Sequence, residues 1–146
     1  MDHIAIMKKS MGFIPKILSG EKKIESRWYT TRRSPWGKVV KGDTVFFKNS
    51  GGLVNVSTKV SNVISFENLN QKKVKEILKK YGTKIGIEKK DIPKFYTTYK
   101  DKKYCILIFL TNVTKVKPLD INKKGFGMQS AWITVSYIVK IIKQGT

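Results

Sequence analysis

Apolar positions along the chain recur with two periods, and the places where one gives way to the other divide it into strands and helices. His3-Ile4-Ala5-Ile6-Met7 predicts an opening strand, and Lys8 to Gly12 a loop. Pro15 suits a first helical turn because it has no amide hydrogen to lose there. With Ile14, Ile17 and Leu18 on one face and Gly20 as a left-handed cap, a short helix is expected. From Lys23 to Tyr29 the alternation puts Ile24, Ser26 and Trp28 on one face and Lys23, Glu25, Arg27 and Tyr29 on the other, the pattern of a strand. Thr30 to Gly37, broken by Pro35 and Gly37, predicts an exposed basic and aromatic loop.

Lys41-Gly42-Asp43 turns into a strand over Thr44 to Lys48. Asn49-Ser50-Gly51-Gly52 turns again into a long strand over Leu53 to Phe66, with Val54, Val56, Val60, Ile64 and Phe66 in step. Asn70 caps a helix marked by Val74, Ile77, Leu78 and Tyr81 and ended by Gly82. Residues 83–102, rich in lysine, read as a mobile insertion whose Phe95 to Tyr99 cluster is compatible with a helical turn. A second long strand runs from Tyr104 to Lys117 and is broken by Pro118. Trp132 to Lys143 fits a strand by its β-branched residues and a helix by Ile138, Ile141 and Ile142. Without repeat or linker, this order predicts one α+β domain over residues 1–146, a small mixed β-barrel with two or three short flanking helices.

Composition narrows the chemistry. Cys105 is the only cysteine and His3 the only histidine, so no intrachain disulfide forms and no Cys/His metal site is expected; nor is any cofactor. Cys105 lies in the apolar run Cys105 to Leu110 and reads as a buried, inert thiol. That run, of six residues, is the longest in the chain, far below the roughly 20 that span a bilayer, and no apolar signal region precedes Lys8 and Lys9. The expectation is a soluble, cytoplasmic protein with no membrane partner.

Charge names the partner. Thirty Lys+Arg face ten Asp+Glu, a formal charge of +20, which calls for a polyanion. A lysine excess also follows from an A/T-rich genome, but codon bias does not explain why the three arginines, Arg27, Arg32 and Arg33, lie within seven residues. Tyr29 and Trp36 beside them offer rings on which bases stack, whereas Trp28, opposite Arg27 by alternation, belongs to the core. Lys48-Asn49-Ser50 with Gly51-Gly52 is a polar turn whose amides could form an anion-binding concavity, although most such turns only connect strands. Gln129 or Ser130 could read a base edge if the loop from Gly125 returns to the mouth of the barrel.

Gly20-Glu21-Lys22-Lys23-Ile24-Glu25-Ser26-Arg27 resembles the G-x-K-x-x-E-x-R signature of the ASCH domain family, whose fold is similar to the PUA barrel. The preceding helix, the Lys41-Gly42-Asp43 turn and the late Trp132 look like that family as well. In physical terms Gly20 allows a tight turn that would carry Lys22 to the rim of a cleft. Glu25 and Arg27 share a face, where they pair with each other or with a ligand. The leading expectation is a module that binds single-stranded RNA, or an exposed nucleotide, modified or not, through Lys22, Glu25, Arg27, Tyr29, Arg32, Arg33 and Trp36, with Lys48, Asn49 and Ser50 nearby. The resemblance also implies an alternative, an enzyme acting on a modified nucleoside as an amidohydrolase, or on RNA as a ribonuclease, through Lys22 and Glu25. The amidohydrolase branch resembles Gly-x-Lys-x-x-Thr, however, and this chain has Glu25 where that threonine stands. Glu67 and Glu88 are the candidates for a later carboxylate. A third reading is an adaptor that docks an acidic partner by charge alone.

Overall fold

The computed structural model of the chain describes residues 1–127 and 130–143. Six strands, β1 (Asp2–Met7), β2 (Ile24–Tyr29), β3 (Thr44–Asn49), β4 (Val54–Phe66), β5 (Tyr104–Leu119) and β6 (Trp132–Val135), form one sheet in the order β2-β5-β4-β3-β1-β6. Strands β1 and β3 run parallel and every other pair is antiparallel. The mixed sheet curls into a half-barrel flanked by α1 (Phe13–Ser19), α2 (Gln71–Ile85) and α3 (Ile92–Tyr99), an α+β architecture. Its two outermost strands, β2 and β6, leave a seam that side chains must bridge.

Both faces of the sheet are covered, which explains the unbroken apolar start of β5. Ile106 and Ile108 point into the curl, where Val45, Phe47, Val56, Val60 and Trp132 meet Ile14 and Ile17 of α1. Cys105 and Leu107 point outward against Ile24, Trp28 and the Val74, Ile77 and Leu78 face of α2. A third cluster gathers Ile4, Val54, Ile121, Ile133 and Ile138. Burial pushes the Cys105 thiol well up, so it stays protonated as expected of a core thiol. No helix among the described residues is long and apolar enough to cross a membrane.

Several elements depart from the sequence pattern for identifiable reasons. Leu18 does not share the buried face of α1; it is 41% exposed. Along β4 the pairing slips at Val54/Val56, Ser57/Lys59 and Val60/Asn62. Each bulge redirects the strand, so Val54 joins the third cluster, Val60 the interior, and Ile64 and Phe66 the α2 side. Helix α2 passes through Gly82 and ends at Gly86, whose φ of 100° makes the left-handed cap. Gly82 serves packing instead: a Cβ there would lie 3.1 Å from Ile92 Cδ1. The segment 83–102 is no mobile insertion, because it finishes α2 and forms α3, with Phe95, Tyr96 and Tyr99 against the outer core. Pro118 does not stop β5; from Thr111 onward that strand pairs only with β4, and an edge tolerates a residue without an amide hydrogen. The ambiguous tail is both things in turn, β6 and then a 3-10 turn over Ile138–Ile141.

Candidate nucleic-acid interface

The signature residues form a relay from the end of α2 to the seam. Gly20, at φ 84°, turns the chain out of α1, and Lys22 N–H donates back to Lys16 O at 2.9 Å. Lys22 is 1% exposed, and its Nζ donates to Ile85 O at 2.6 Å and Ile24 O at 2.7 Å while lying 3.1 Å from Glu25 Oε1. All three ammonium hydrogens therefore have acceptors. Lys23 N–H to Lys84 O at 2.7 Å and Lys16 Nζ to Gly86 O at 2.8 Å complete the capping of this helix end, where cations suit the dipole. Gly86 is needed for the passage of the Lys22 stem, which comes within 3.2 Å of where a Cβ would stand.

Glu25, 3% exposed, carries the relay onward. Its Oε2 accepts from Arg27 Nε at 3.1 Å and Nη2 at 2.8 Å, a two-pronged ion pair. Arg27 then spans the seam: Nη1 donates to Ala131 O at 3.3 Å, Nη2 lies 3.4 Å from Met7 Sδ, and the guanidinium sits 5.2 Å from the centre of the Trp132 ring. Burial pushes the Glu25 carboxyl up, but Lys22 and Arg27 outweigh it and hold it below the usual carboxylate range. For Lys22 burial dominates and pulls the ammonium down, with Glu25 opposing.

Over this floor opens a cleft of about 1130 Å³. Its lining includes the Trp28 and Tyr99 pair, stacked at 4.7 Å and 5°, and Trp132 with Gly125–Gly127 and Ser130–Ala131. Lys8, Arg33 and Lys38 stand among its lining residues as cations. Burial, aided by the Glu25 charge, pushes the Tyr99 phenol up to about 12, so it is neutral. Trp132 is anchored from behind: its Nε1–H donates to His3 Nδ1 at 3.1 Å, which puts the ring proton of His3 on Nε2, 2.8 Å from Asp43 Oδ2. Burial keeps His3 below its ordinary value, against the pull of Asp43.

Of the residues proposed from the sequence, Glu25, Arg27, Tyr29 and Arg33 are brought together along this cleft, and Ser130 joins them because the late loop does return to the mouth. Lys22 is not at a rim; it is sealed beneath Glu25. Tyr29 and Trp36 are not open stacking platforms. Tyr29 donates to Ser34 O at 2.9 Å with Arg33 over its ring, and Trp36 packs edge-on against Tyr104. Arg32 lies outside the cleft, paired with Glu67 at 2.8 Å. Glu88 is exposed beside Lys90 and does not line the cleft. Lys48 also lies apart, 7% exposed and in the field of Lys123, Asp120 and Lys143. Its neighbours Asn49 and Ser50 are absent from the cleft lining, and the amides of Ser50 and Gly52 are committed to Met7 O and Asn49 O. Gln129 falls outside the described residues. Sequence reasoning missed Lys8, Lys38 and Tyr99; the aromatic cluster at 95–99 was the available signal for the last. No group of three metal-ligating side chains occurs among the described residues.

No family model matches the chain, and no curated protein does. Solved structures do. A crystal structure of ASCH from Zymomonas mobilis superposes with a TM-score of 0.67 at 14% identity, covering 98% of this chain and 96% of that one. A point mutant of the same Zymomonas mobilis protein gives 0.66 at 13% identity over 97% and 99%. A hypothetical protein matches at 0.53 and 21% identity, over 80% of this chain and all of its own. The chain thus has the ASCH fold, a PUA-like one, as the signature led us to expect.

Proposed function

We propose that the chain binds single-stranded RNA by taking one exposed nucleotide into the cleft between β2 and β6. The observation that carries this reading is the Arg27 guanidinium, oriented by Glu25 and 12% exposed, in a cleft whose lining includes the rings of Trp28, Tyr99 and Trp132. Flat rings in the lining suit a base, and Lys8, Arg33 and Lys38 suit the phosphates that remain outside. The volume of about 1130 Å³ lies just above the range of small-molecule sites, about 300–1,000 Å³, which leaves room for a nucleotide with its flanking backbone. The fold neighbours are compatible with this use, and the +20 charge supplies the long-range attraction. Hydrolysis through Lys22 has no support in the geometry, because an ammonium with all hydrogens engaged and no route to the cleft does not serve as a base.

The test is the affinity of a short single-stranded RNA for the wild type, for Arg27→Gln, and for a Lys79→Ala/Lys80→Ala double variant on the outer face of α2, with folding checked by circular dichroism. Arg27→Gln should weaken binding by a factor of about 10 to 100, as loss of a charged hydrogen bond worth about 1.5–3 kcal/mol implies, and the double variant should change it less. Equal affinity for wild type and a folded Arg27→Gln, with loss in the α2 variant, would move binding to the diffuse lysine field.

A further inference from the structure

Trp132 lines the cleft with the Arg27 guanidinium 5.2 Å from its ring centre, so what fixes that ring also fixes part of the site. Behind it stands His3, fully buried and the only histidine in the chain. The His3 ring has three neighbours at hydrogen-bond distance among the described residues. Asp43 Oδ2 lies 2.8 Å from Nε2, while Thr134 Oγ1 at 2.9 Å and Trp132 Nε1 at 3.1 Å both meet Nδ1. An indole N–H only donates and a carboxylate only accepts, so Nδ1 is the bare nitrogen and Nε2 the protonated one. Asp43 is itself held by the Val40 N–H at 3.1 Å and the Met1 amino group at 3.2 Å. Its carboxylate thus sets the tautomer in which the imidazole accepts from Trp132.

Protonation reverses this arrangement. With a hydrogen on each nitrogen, Nδ1 donates to Thr134 Oγ1, and Trp132 Nε1–H faces another donor. The indole then keeps its place only by leaving a buried donor unpaired, which is unfavourable. The charges that bear on His3 are the carboxylates of Asp43 and Asp2 and the Met1 amino group. Burial, joined by the amino group, outweighs the two carboxylates and keeps the imidazole below its ordinary value of 6.5. In the cleft, Glu25 is held below the usual carboxylate range and the phenols of Tyr29 and Tyr99 are pushed up, so none of the three changes charge where a histidine does.

We propose that His3 is a positioning residue of the cleft and that ligand binding requires its neutral form: neutral, Nδ1 holds the Trp132 indole; protonated, it turns to Thr134 and the ring is released. The proposal rests on the nucleotide-binding reading above and adds to it a residue that acts through Trp132 and a dependence on pH.

The experiment measures the affinity of the whole chain for a short single-stranded RNA of uridine and guanosine, whose bases stay neutral over the range used. Affinity is followed from about pH 5 to about pH 8 at constant ionic strength, and nitrogen–proton NMR follows the Trp132 indole N–H, assigned with Trp132→Phe. Binding should weaken about fivefold on acidification, the scale of one lost buried hydrogen bond. Its midpoint should lie below 6.5, and the indole resonance should move with the same midpoint. Asp43→Asn removes a charge that favours protonation of His3, so the step should shift to lower pH. A merely structural loss would weaken binding at every pH and leave the midpoint in place. His3→Asn puts an amide oxygen near the place of Nδ1 and does not titrate, so its binding should be level with pH. Wild-type affinity that is level across the range, or a step that persists in a folded His3→Asn, overturns the proposal and leaves the cleft reading standing. Absence of binding at every pH overturns both.

Discussion

A lysine chosen from sequence as a site residue proves to be the fastener beneath the site. Lys22 joins two carbonyls and a carboxylate at 2.6 to 3.1 Å, out of contact with water. Breaking one side of a buried ion pair costs about 3–5 kcal/mol, because the remaining charge is stranded. Lys22→Ala should therefore lower stability by about 3 kcal/mol or more in denaturant titrations, and Lys22→Met should recover only the packing share. The sign of the pH dependence follows from Glu25, whose native carboxyl is held below its ordinary range. Its contribution is complete above the unfolded carboxylate value and is lost as pH falls through the native one. Without Lys22 the carboxyl protonates at higher pH, so the deficit of Lys22→Ala should be large near pH 7 and shrink on acidification. A deficit that is constant with pH would mean that the ion pair is not what the variant loses.

At the scale of elements, the glycines that meet Lys22 and Ile92 show what pattern reading captures and what it misses. The apolar repeat that closes at Tyr81 predicts the end of α2 at Gly82, and the structure carries the helix on to a cap at Gly86. Only Gly86 has positive φ, and its missing side chain is space that Lys22 occupies. Gly86→Ala should cost about 1–2 kcal/mol from the left-handed backbone alone, plus displacement of the Lys22 stem. Gly82→Ala gains about 0.8–1 kcal/mol of helix propensity against a contact with the terminal methyl of Ile92, and thermal melts should find it within about 1 kcal/mol of wild type. Strands β1 to β5, α1 and the start of α2 were legible because alternation, Pro15, Gly20 and the Asn70 cap act locally; Asn70 Oδ1 does accept from Lys73 N–H at 2.8 Å. The bulges of β4 and the order in 83–102 were not legible, because each depends on a partner far along the chain. The same division runs through the site. Glu25 and Arg27 pair as their two-residue spacing requires, whereas Tyr99, Lys8 and Lys38 reach the cleft only through tertiary packing.

For the molecule as a whole, salt should push binding and stability in opposite directions. A charge of +20 on 146 residues makes the folded chain repel itself, and screening relieves that repulsion, since the Debye length falls from about 30 Å at 0.01 M to about 8 Å at 0.15 M. Within that range the thermal midpoint should rise with added chloride. RNA affinity should fall, and its slope separates a cleft from a charged surface. If contact with phosphate is confined to Lys8, Arg33 and Lys38, a single strand should release counterions with a log–log slope of about −2. The α2 face, with Lys72, Lys75 and Lys79 exposed along one row and Lys73, Lys80 and Lys84 along the next, would double or triple that figure if the strand tracked across it. A slope near −2 that is unchanged in the Lys79→Ala/Lys80→Ala variant assigns the phosphates to the cleft. A slope of about −4 or steeper that relaxes in that variant assigns them to the helix, with the cleft keeping only the base.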